Sequence, residues 1–342
     1  MDGLLHFPVT TAPAPGEIVP IAPGVFWLRM RLPFALNHIN LWLLEDGPGW
    51  TAVDSGFTLP ETRDAWERIF AEHLGGRPIR RVIVTHFHPD HIGMAGWLVE
   101  RWETPFLITE KEWLHARMNT TSGDDAARSR RDFARRAGLD DEASTMFAER
   151  QGNYRRGVPS VPASYQRIGE GSVISIGGRE WRVIIGEGHA PEHACLYCAE
   201  TGVLIAGDQI LPRISPNISV QAHEPDGDPL ARYLASLAKL RLALPPETFV
   251  LPSHNLPFHG AHVRIDELAA HHRARCDEVA AACARPLSAA ELMPVLFKRQ
   301  LDRHQTGFAL GEALAHAHYL VGQDALERQP GADGVDRFLA RG

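Results

Sequence analysis

The sequence predicts an α/β domain followed by a small helical appendage, on three observations. Its 342 residues suit one large domain with a core of its own plus a minor extension. Short β-type runs alternate with helical stretches from Val25 to about residue 260, the pattern of sheets covered by helices. From Ala261 onward the chain is mostly helical and Ala-rich.

Residues 1–24 carry Pro at 8, 13, 15, 20 and 23 and read as an extended N-terminal arm. VFWLRMRL, NLWLLED and WTAVDSG are short strands, and the Gly47-Pro48-Gly49 turn joins the last two into a meander. Thr58 reads as a helix cap, with Glu61 three residues on completing a capping box and Gly75-Gly76 as the stop. IRRVIVT (79–85) is a buried strand, IGMAGWLVERW (92–102) a helix, and PFLIT (105–109) a short strand. Residues 110–160 turn polar, Arg-rich and helical, an insertion or lid within the large domain. Strands resume at 172–176, 180–186, 194–198 and 202–207. Asp228-Pro229 starts a helix running through Leu244, and TFVLPS (248–253) closes the large domain, taken as 25–260. In the appendage, 261–342, Ser288 and Glu291 form a capping box and a helix near 308–321 stops at Gly322. LERQ and VDRFL flank a turn at 330–334 as a hairpin. Helices followed by a hairpin make this segment winged-helix-like.

Composition excludes several classes. With 44% hydrophobic and 23% charged residues the chain is globular. A net charge of −7 argues against a protein that grips nucleic acid with its whole surface, while a local basic patch stays open; the partner expected is a small-molecule substrate and not nucleic acid. No apolar run reaches the roughly 18–20 residues of a membrane span. The start shows no basic stretch leading into an apolar one, and four Cys do not make a disulfide framework. The expectation is a cytoplasmic protein with no membrane partner.

The unusual count is 18 His. RVIVTHFHPDHIGMAG places His86, His88, Asp90 and His91 in the turn between a buried strand and a helix. Imidazole and carboxylate are the ligands that borderline divalent cations prefer. Alternate residues after a strand end, 86 and 88, can point to one side, and Asp90 and His91 at the helix start can reach a second position nearby.

THFHPDH resembles the H-x-H-x-D-H signature of the metallo-β-lactamase-fold hydrolases. Later elements arrive in that family's order, each at a strand end: Gly188-His189, Gly207-Asp208 and Ser253-His254. Asp54 in TAVDSGF matches the family's early strand-end Asp, a structural support of the metal loop. The resemblance covers roughly residues 25–260 and implies a four-layer αββα sandwich with metals at one edge between two sheets. It implies two divalent ions per chain, zinc first, with iron or manganese suited to the same ligands. His86, His88 and His189 would hold one, Asp90, His91 and His254 the other, and Asp208 would bridge them. The activity implied is hydrolysis by a metal-bridging hydroxide, with Asp90 orienting the nucleophile or shuttling its proton.

Within the superfamily, dedicated β-lactamases generally place Cys or Ser where this chain has Asp208. Flavodiiron-type oxidoreductases typically carry Glu where this chain has His88. Nucleases with a large inserted domain place it between the strand-end Asp and the last His, and the stretch from Asp208 to His254 is too short for one. What remains is led by ester, thioester or lactone hydrolysis. Phosphodiester or RNA cleavage comes second, and non-catalytic metal binding third. Fold similarity does not choose among these.

Other features carry less. Cys195-x-x-Cys198 lies in a strand, where positions i and i+3 face opposite sides, so both Cys belong to the core. Cys276 and Cys283 read as packed on one helix face. RSRRDFARR (128–136) reads as a solvated helix, with an anion-steering surface as the alternative. The lid and the appendage are expected to close the site and select the substrate; the alternative is that both pack distantly from it or form a homodimer contact. His38, Tyr197, Asn217, His223 and His259 are candidates for the substrate wall. His271-His272 and His316-x-His318 read as exposed polar surface.

Overall fold

The computed structural model describes residues 5–121, 123–151 and 154–341. Positions 1–4 of the arm, 122 and 152–153 of the lid segment, and 342 lie outside the described residues. The chain forms two compact units, one from Met1–Thr121, Tyr154–Pro216 and Lys239–Ile265, the other from Ser122–Asn153, Asn217–Ala238 and Asp266–Gly342.

The first unit opens with β1 (Val19–Ala22), β2 (Val25–Arg31), β3 (His38–Asp46) and β4 (Gly49–Val53), an antiparallel meander. Within the arm, Val19–Ala22 is the edge strand β1 of this sheet. Next come α1 (Pro60–Glu72), β5 (Ile79–Ile83), α2 (Pro89–Ile92), α3 (Ala95–Trp102) and β6 (Phe106–Ile108). Four helices follow: α4 (Glu110–Thr121), α5 (Asp124–Arg136), α6 (Asp141–Gln151) and α7 (Tyr154–Gly157). The 110–160 segment is thus divided, with α4 and α7 in the first unit and α5 and α6 in the second. β7 (Gln166–Arg167) completes a seven-stranded sheet in simple chain order, parallel from β4 onward.

β8 (Val173–Ile176), β9 (Arg179–Gly186), β10 (His193–Cys198) and β11 (Val203–Gly207) begin the second sheet. After α8 (Pro229–Ala243), β12 (Phe249–Pro252) pairs parallel to β11, and β13 (Phe258–His259) closes a six-stranded sheet.

Side-chain alternation on each strand explains the layering. On β3, Trp42 and Leu44 enter the core between the sheets while Ile39, Leu41 and Leu43 face the opposite way. On β9 and β10, Trp181, Val183, Ile185, Ala194, Leu196 and Cys198 fill the same inter-sheet core. Cys195 and Cys198 therefore do lie on opposite faces, and all four Cys are free and buried. Over the outer face of the first sheet lie Ala65, Trp66 and Ile69 of α1 with Ala95 and Leu98 of α3. Trp66 is fully buried, and its loss would cost about 3–5 kcal/mol. Sheet β10–β12 is buried on both faces, and the Arg182 guanidinium donates to the Ala243 carbonyl at the end of α8. Helices on both outer sides of two stacked sheets make the α/β/β/α order.

One local expectation is corrected. α1 starts at Pro60 with Leu59 at its cap and no side-chain capping bond. Proline at the first turn lacks one of the N–H groups a cap would satisfy. Thr58 instead donates its hydroxyl to the Gly93 carbonyl, tying this loop to the end of α2.

The second unit pairs α5 with α6 through Phe133 and Phe147, and continues with α9 (Ala261–Ala282), whose first residues belong to the other unit, α10 (Ala289–Leu296) and α11 (Arg303–Gly322). Ser288 caps α10 in a complete capping box with Glu291. β14 (Leu326–Pro330) and β15 (Asp336–Ala340) form the terminal hairpin. Asp336 and Asp226 share the guanidinium groups of Arg136 and Arg328, joining helix, loop and hairpin. His272 and His316, read as exposed, are fully buried. Their ring nitrogens meet at 3.2 Å and His316 Nδ1 donates to the Glu312 carbonyl, while His318 donates to the Gly227 carbonyl. Ala-rich helices pack closely enough to draw these rings inside, and only His271 stays exposed. No helix among the described residues is long and apolar enough to cross a membrane.

Candidate metal centre

Strand direction brings the chemistry to one edge. β4, β5, β9, β11 and β12 all end there, delivering Asp54, His86, His189, Asp208 and His254, while β3 and β10 begin there with His38 and His193. The two sheets are bonded at this edge, Asn40 N–H donating to the Ser253 carbonyl and Ala194 N–H to the Thr85 carbonyl.

All seven expected ligands converge. Donor atoms of His86, His88 and His189 lie within 4.8 Å of one another, as do those of His86, His91 and Asp208, and those of Asp90, His91 and His254. The middle group shares His86 with the first and His91 with the third, so Asp208 stands between them. His86 Nε2 is 2.9 Å from His88 Nδ1 and 3.3 Å from His189 Nε2. His254 Nε2 is 3.4 Å from Asp208 Oδ1 and 3.5 Å from Asp90 Oδ2.

The residues fit bound cations. His91 Nδ1 donates to Asp54, and His254 Nδ1 donates to the His38 carbonyl at 2.8 Å. Thr85, whose hydroxyl donates to Asp54, can accept from His86 Nδ1 at 3.1 Å. In each of these three rings Nδ1 is engaged by the protein, which turns Nε2 toward the site as the atom available to a cation. His91 Nε2 and Asp208 Oδ1 are buried with no hydrogen-bond partner among the described residues, an arrangement that costs free energy unless something else meets them.

Charge follows the same division. Burial and the surrounding histidines hold His86 and His88 well below the usual imidazole range, which keeps them neutral. Burial also acts on His91, but Asp54, Asp90 and Asp208 outweigh it and raise that ring. Burial pushes Asp208 up, yet His254 and His91 prevail and hold its carboxyl well below the usual carboxylate range.

Asp54 accepts the Thr85 N–H at 2.8 Å as well as bonding His91. His193, not singled out from the sequence, accepts the Asp208 N–H at Nε2, 3.0 Å, and its ring stacks on His86. Gly207 lies left-handed beside it; a Cβ there would come within 2.3 Å of His193 Nε2. Only the spacing from His189, four residues earlier at the start of the next strand, could have marked it.

The substrate-wall candidates divide. His38 stands at the edge, but its Nε2 accepts the Asn255 N–H, making it an anchor of the His254 loop. Tyr197 lies four residues along β10, roughly 13 Å from the strand start, on the outer face under Arg182. His259 pairs with Phe249, at the far end of β12 from His254, because the β12–β13 turn reverses the chain. Neither reaches the site. Asn217 and His223 belong to the second unit, where Asn217 meets Glu312 and Ser219.

Comparison with known proteins agrees with this geometry. Residues 36–254 match the model of the Metallo-beta-lactamase superfamily, and residues 276–341 that of the Metallo-beta-lactamase-like, C-terminal domain. A beta-lactamase domain protein from Burkholderia ambifaria superposes with a TM-score of 0.90 at 46% identity, over 98% of this chain and 97% of that one. The protein named Probable metallo-hydrolase YflN from Bacillus subtilis is 29% identical over 72% of this chain and 89% of its own length. Acyl-coenzyme A thioesterase MBLAC2 of Gallus gallus is 29% identical over 56% of this chain and 64% of its own. With the ligand residues gathered at one edge of two stacked sheets and the family model spanning them, the chain belongs to the metallo-beta-lactamase superfamily of metal-dependent hydrolases.

Proposed function

We propose that this chain hydrolyses a carboxylic thioester, ester or lactone at a centre of two divalent ions, zinc foremost. The observation that carries this reading is the overlap of three ligand groups, in which Asp208 lies between a three-histidine group and an Asp-His-His group. Two such ions, when bound, supply a Lewis acid and make hydroxide available near neutral pH. Asp208, held ionised, completes the charge of both groups. Asp90 is the more open carboxylate, its side chain 20% exposed against 10% for Asp208. Its Oδ2 can therefore take the proton of an attacking water and return it to the leaving group. The likeness to the chicken acyl-coenzyme A thioesterase supports the thioester as first choice.

Chain purified without chelator should carry close to two metal ions. Loaded separately with zinc, manganese or iron, it should turn over acyl-CoA thioesters, aryl esters or lactones in a panel that also holds phosphodiesters and RNA. Asp90→Asn should lower kcat at least 100-fold even where the ion of the three-histidine group is retained, consistent with the usual worth of a positioned proton carrier. Turnover of phosphodiesters or RNA alone would overturn the acyl assignment.

A further inference from the structure

The first ligand group depends on two loops far apart in the chain, residues 85–88 after β5 and 187–193 after β9, and one buried carboxylate joins them. Glu112, in the first turn of α4, is fully buried. Its Oε2 accepts the Phe87 N–H at 2.9 Å and its Oε1 accepts the Glu192 N–H at 2.6 Å. Phe87 sits between His86 and His88, and Glu192 between His189 and His193. The Phe87 carbonyl is held as well, by the hydroxyl of Tyr154 in α7. Thus both polar groups of the residue separating two ligands are taken by side chains from the segment between β6 and β7. The start of α4 is tied to the second loop twice more. Thr109 donates its hydroxyl to the Glu192 carbonyl at 2.9 Å, and Lys111 N–H donates to the Glu192 carboxylate at 3.1 Å.

Residue type matters here. Two backbone donors approach from different loops, so the joining group needs two acceptor oxygens, which a carboxylate provides; burial raises this one to about 7, so it is fully ionised only above that pH. An amide at this place offers one acceptor and turns its NH2 toward the other N–H. Apolar packing alone gives no reason to bury a carboxylate there, since burial of that group is costly unless its bonds are needed.

We propose that Glu112 is a positioning residue that sets the approach of His86 and His88 to His189, with Tyr154 holding the other side of the same backbone segment. The inference rests on those three histidines holding a metal ion. Changes to groups that orient metal ligands cost about 10–100-fold in metal affinity, and that is the size expected.

The test compares metal-free wild type with Glu112→Ala, Glu112→Gln, Tyr154→Phe and Asp46→Asn. Each is titrated with Zn2+ against a chromophoric chelator, and with Co2+ read by the visible band of the bound ion. Asp46 is the matched control: it is also buried, and it accepts from Thr51 and from Gly177 N–H. It lies at the other end of β3 from His38, roughly 25 Å along the strand. Glu112→Ala should bind its tighter Zn2+ about 10–100-fold more weakly. Glu112→Gln and Tyr154→Phe should show smaller losses and a shifted Co2+ band, while Asp46→Asn binds as wild type does, whatever its Tm. Should Glu112→Ala fail to fold, the other two decide. Zn2+ affinity in both within threefold of wild type, or an equal loss in Asp46→Asn, overturns the inference. Wild type that binds no Zn2+ sinks the metal-centre reading and this inference together, a result distinct from unaffected variants of a metal-binding wild type.

Discussion

His91 donates from Nδ1 to Asp54 Oδ2 at 2.8 Å, and Asp54 makes that bond from a left-handed backbone with φ of 62°. The bend at the end of β4 turns a side chain that would otherwise follow the strand back under the metal loop. It also catches Thr85, so one carboxylate sets the orientation of His91 and, through Thr85, of His86.

Asp54→Asn keeps a residue that tolerates the left-handed region and removes the charge. Metal affinity should fall about 10-fold or more, read by chelator competition, with little change in the circular dichroism spectrum. Undiminished affinity would show that Asp54 supports only the loop's shape.

Gly207 leaves room for the His193 ring. Gly207→Ala should displace His193 from the Asp208 N–H, because its Cβ would sit 2.3 Å from Nε2. Overpacking of this kind costs about 1–3 kcal/mol, and activity should drop at least 10-fold as Asp208 shifts. A variant with wild-type Tm and turnover would mean that the ring moves aside freely.

For His38, the question is anchor or substrate contact. Burial, then Arg29 and His254, lower its ring to about 4, so it stays neutral and its Nε2 can accept the Asn255 N–H. His38→Ala should therefore reduce metal occupancy and kcat while KM stays within about twofold. Full occupancy with a raised KM would restore the substrate-wall reading.

Acid should loosen the C-terminal unit through its buried rings. Burial, then His316 and His271, hold His272 at about 3, and burial chiefly holds His316 at about 4. Both lie below the unfolded value near 6.5, so the unfolded chain binds more protons between those limits. Stability is full above pH ~6.5 and falls toward the folded values by about 1.4 kcal/mol per pH unit for each ring. Glu312, raised by burial to about 7, works in the opposite sense from 4.5 to 7 and offsets one of them. In metal-free protein, a His272→Leu/His316→Leu variant should lose less of its urea midpoint between pH 7.5 and pH 5 than wild type. Equal losses in the two proteins would place the acid sensitivity elsewhere.

The seven candidate ligand positions were legible because they sit in loops that follow apolar strand runs. A buried strand's end is a local feature, written in consecutive residues, and the loop from His86 to His91 carries four of the candidates at once. Their order along the chain then pointed to one edge of two stacked sheets. The terminal hairpin and the Ser288 cap were legible for the same reason, since turn and capping residues act within a few positions of themselves.

What holds those ligands was decided only by tertiary structure. Glu112 meets backbone N–H groups of residues 87 and 192, and His38 meets those of residue 255; no periodicity marks a side chain whose partners lie so far away in the chain. His272 and His316 were misread because an isolated imidazole on an Ala-rich helix reads as surface until a second ring arrives to meet it. Tyr197 and His259 were misplaced because strand direction, not sequence distance from a ligand, determines which end of a sheet a residue occupies. Local pattern thus determined which groups could bind metal in this chain, and long-range hydrogen bonding decided how they are oriented, because orientation depends on partners that only folding brings within reach.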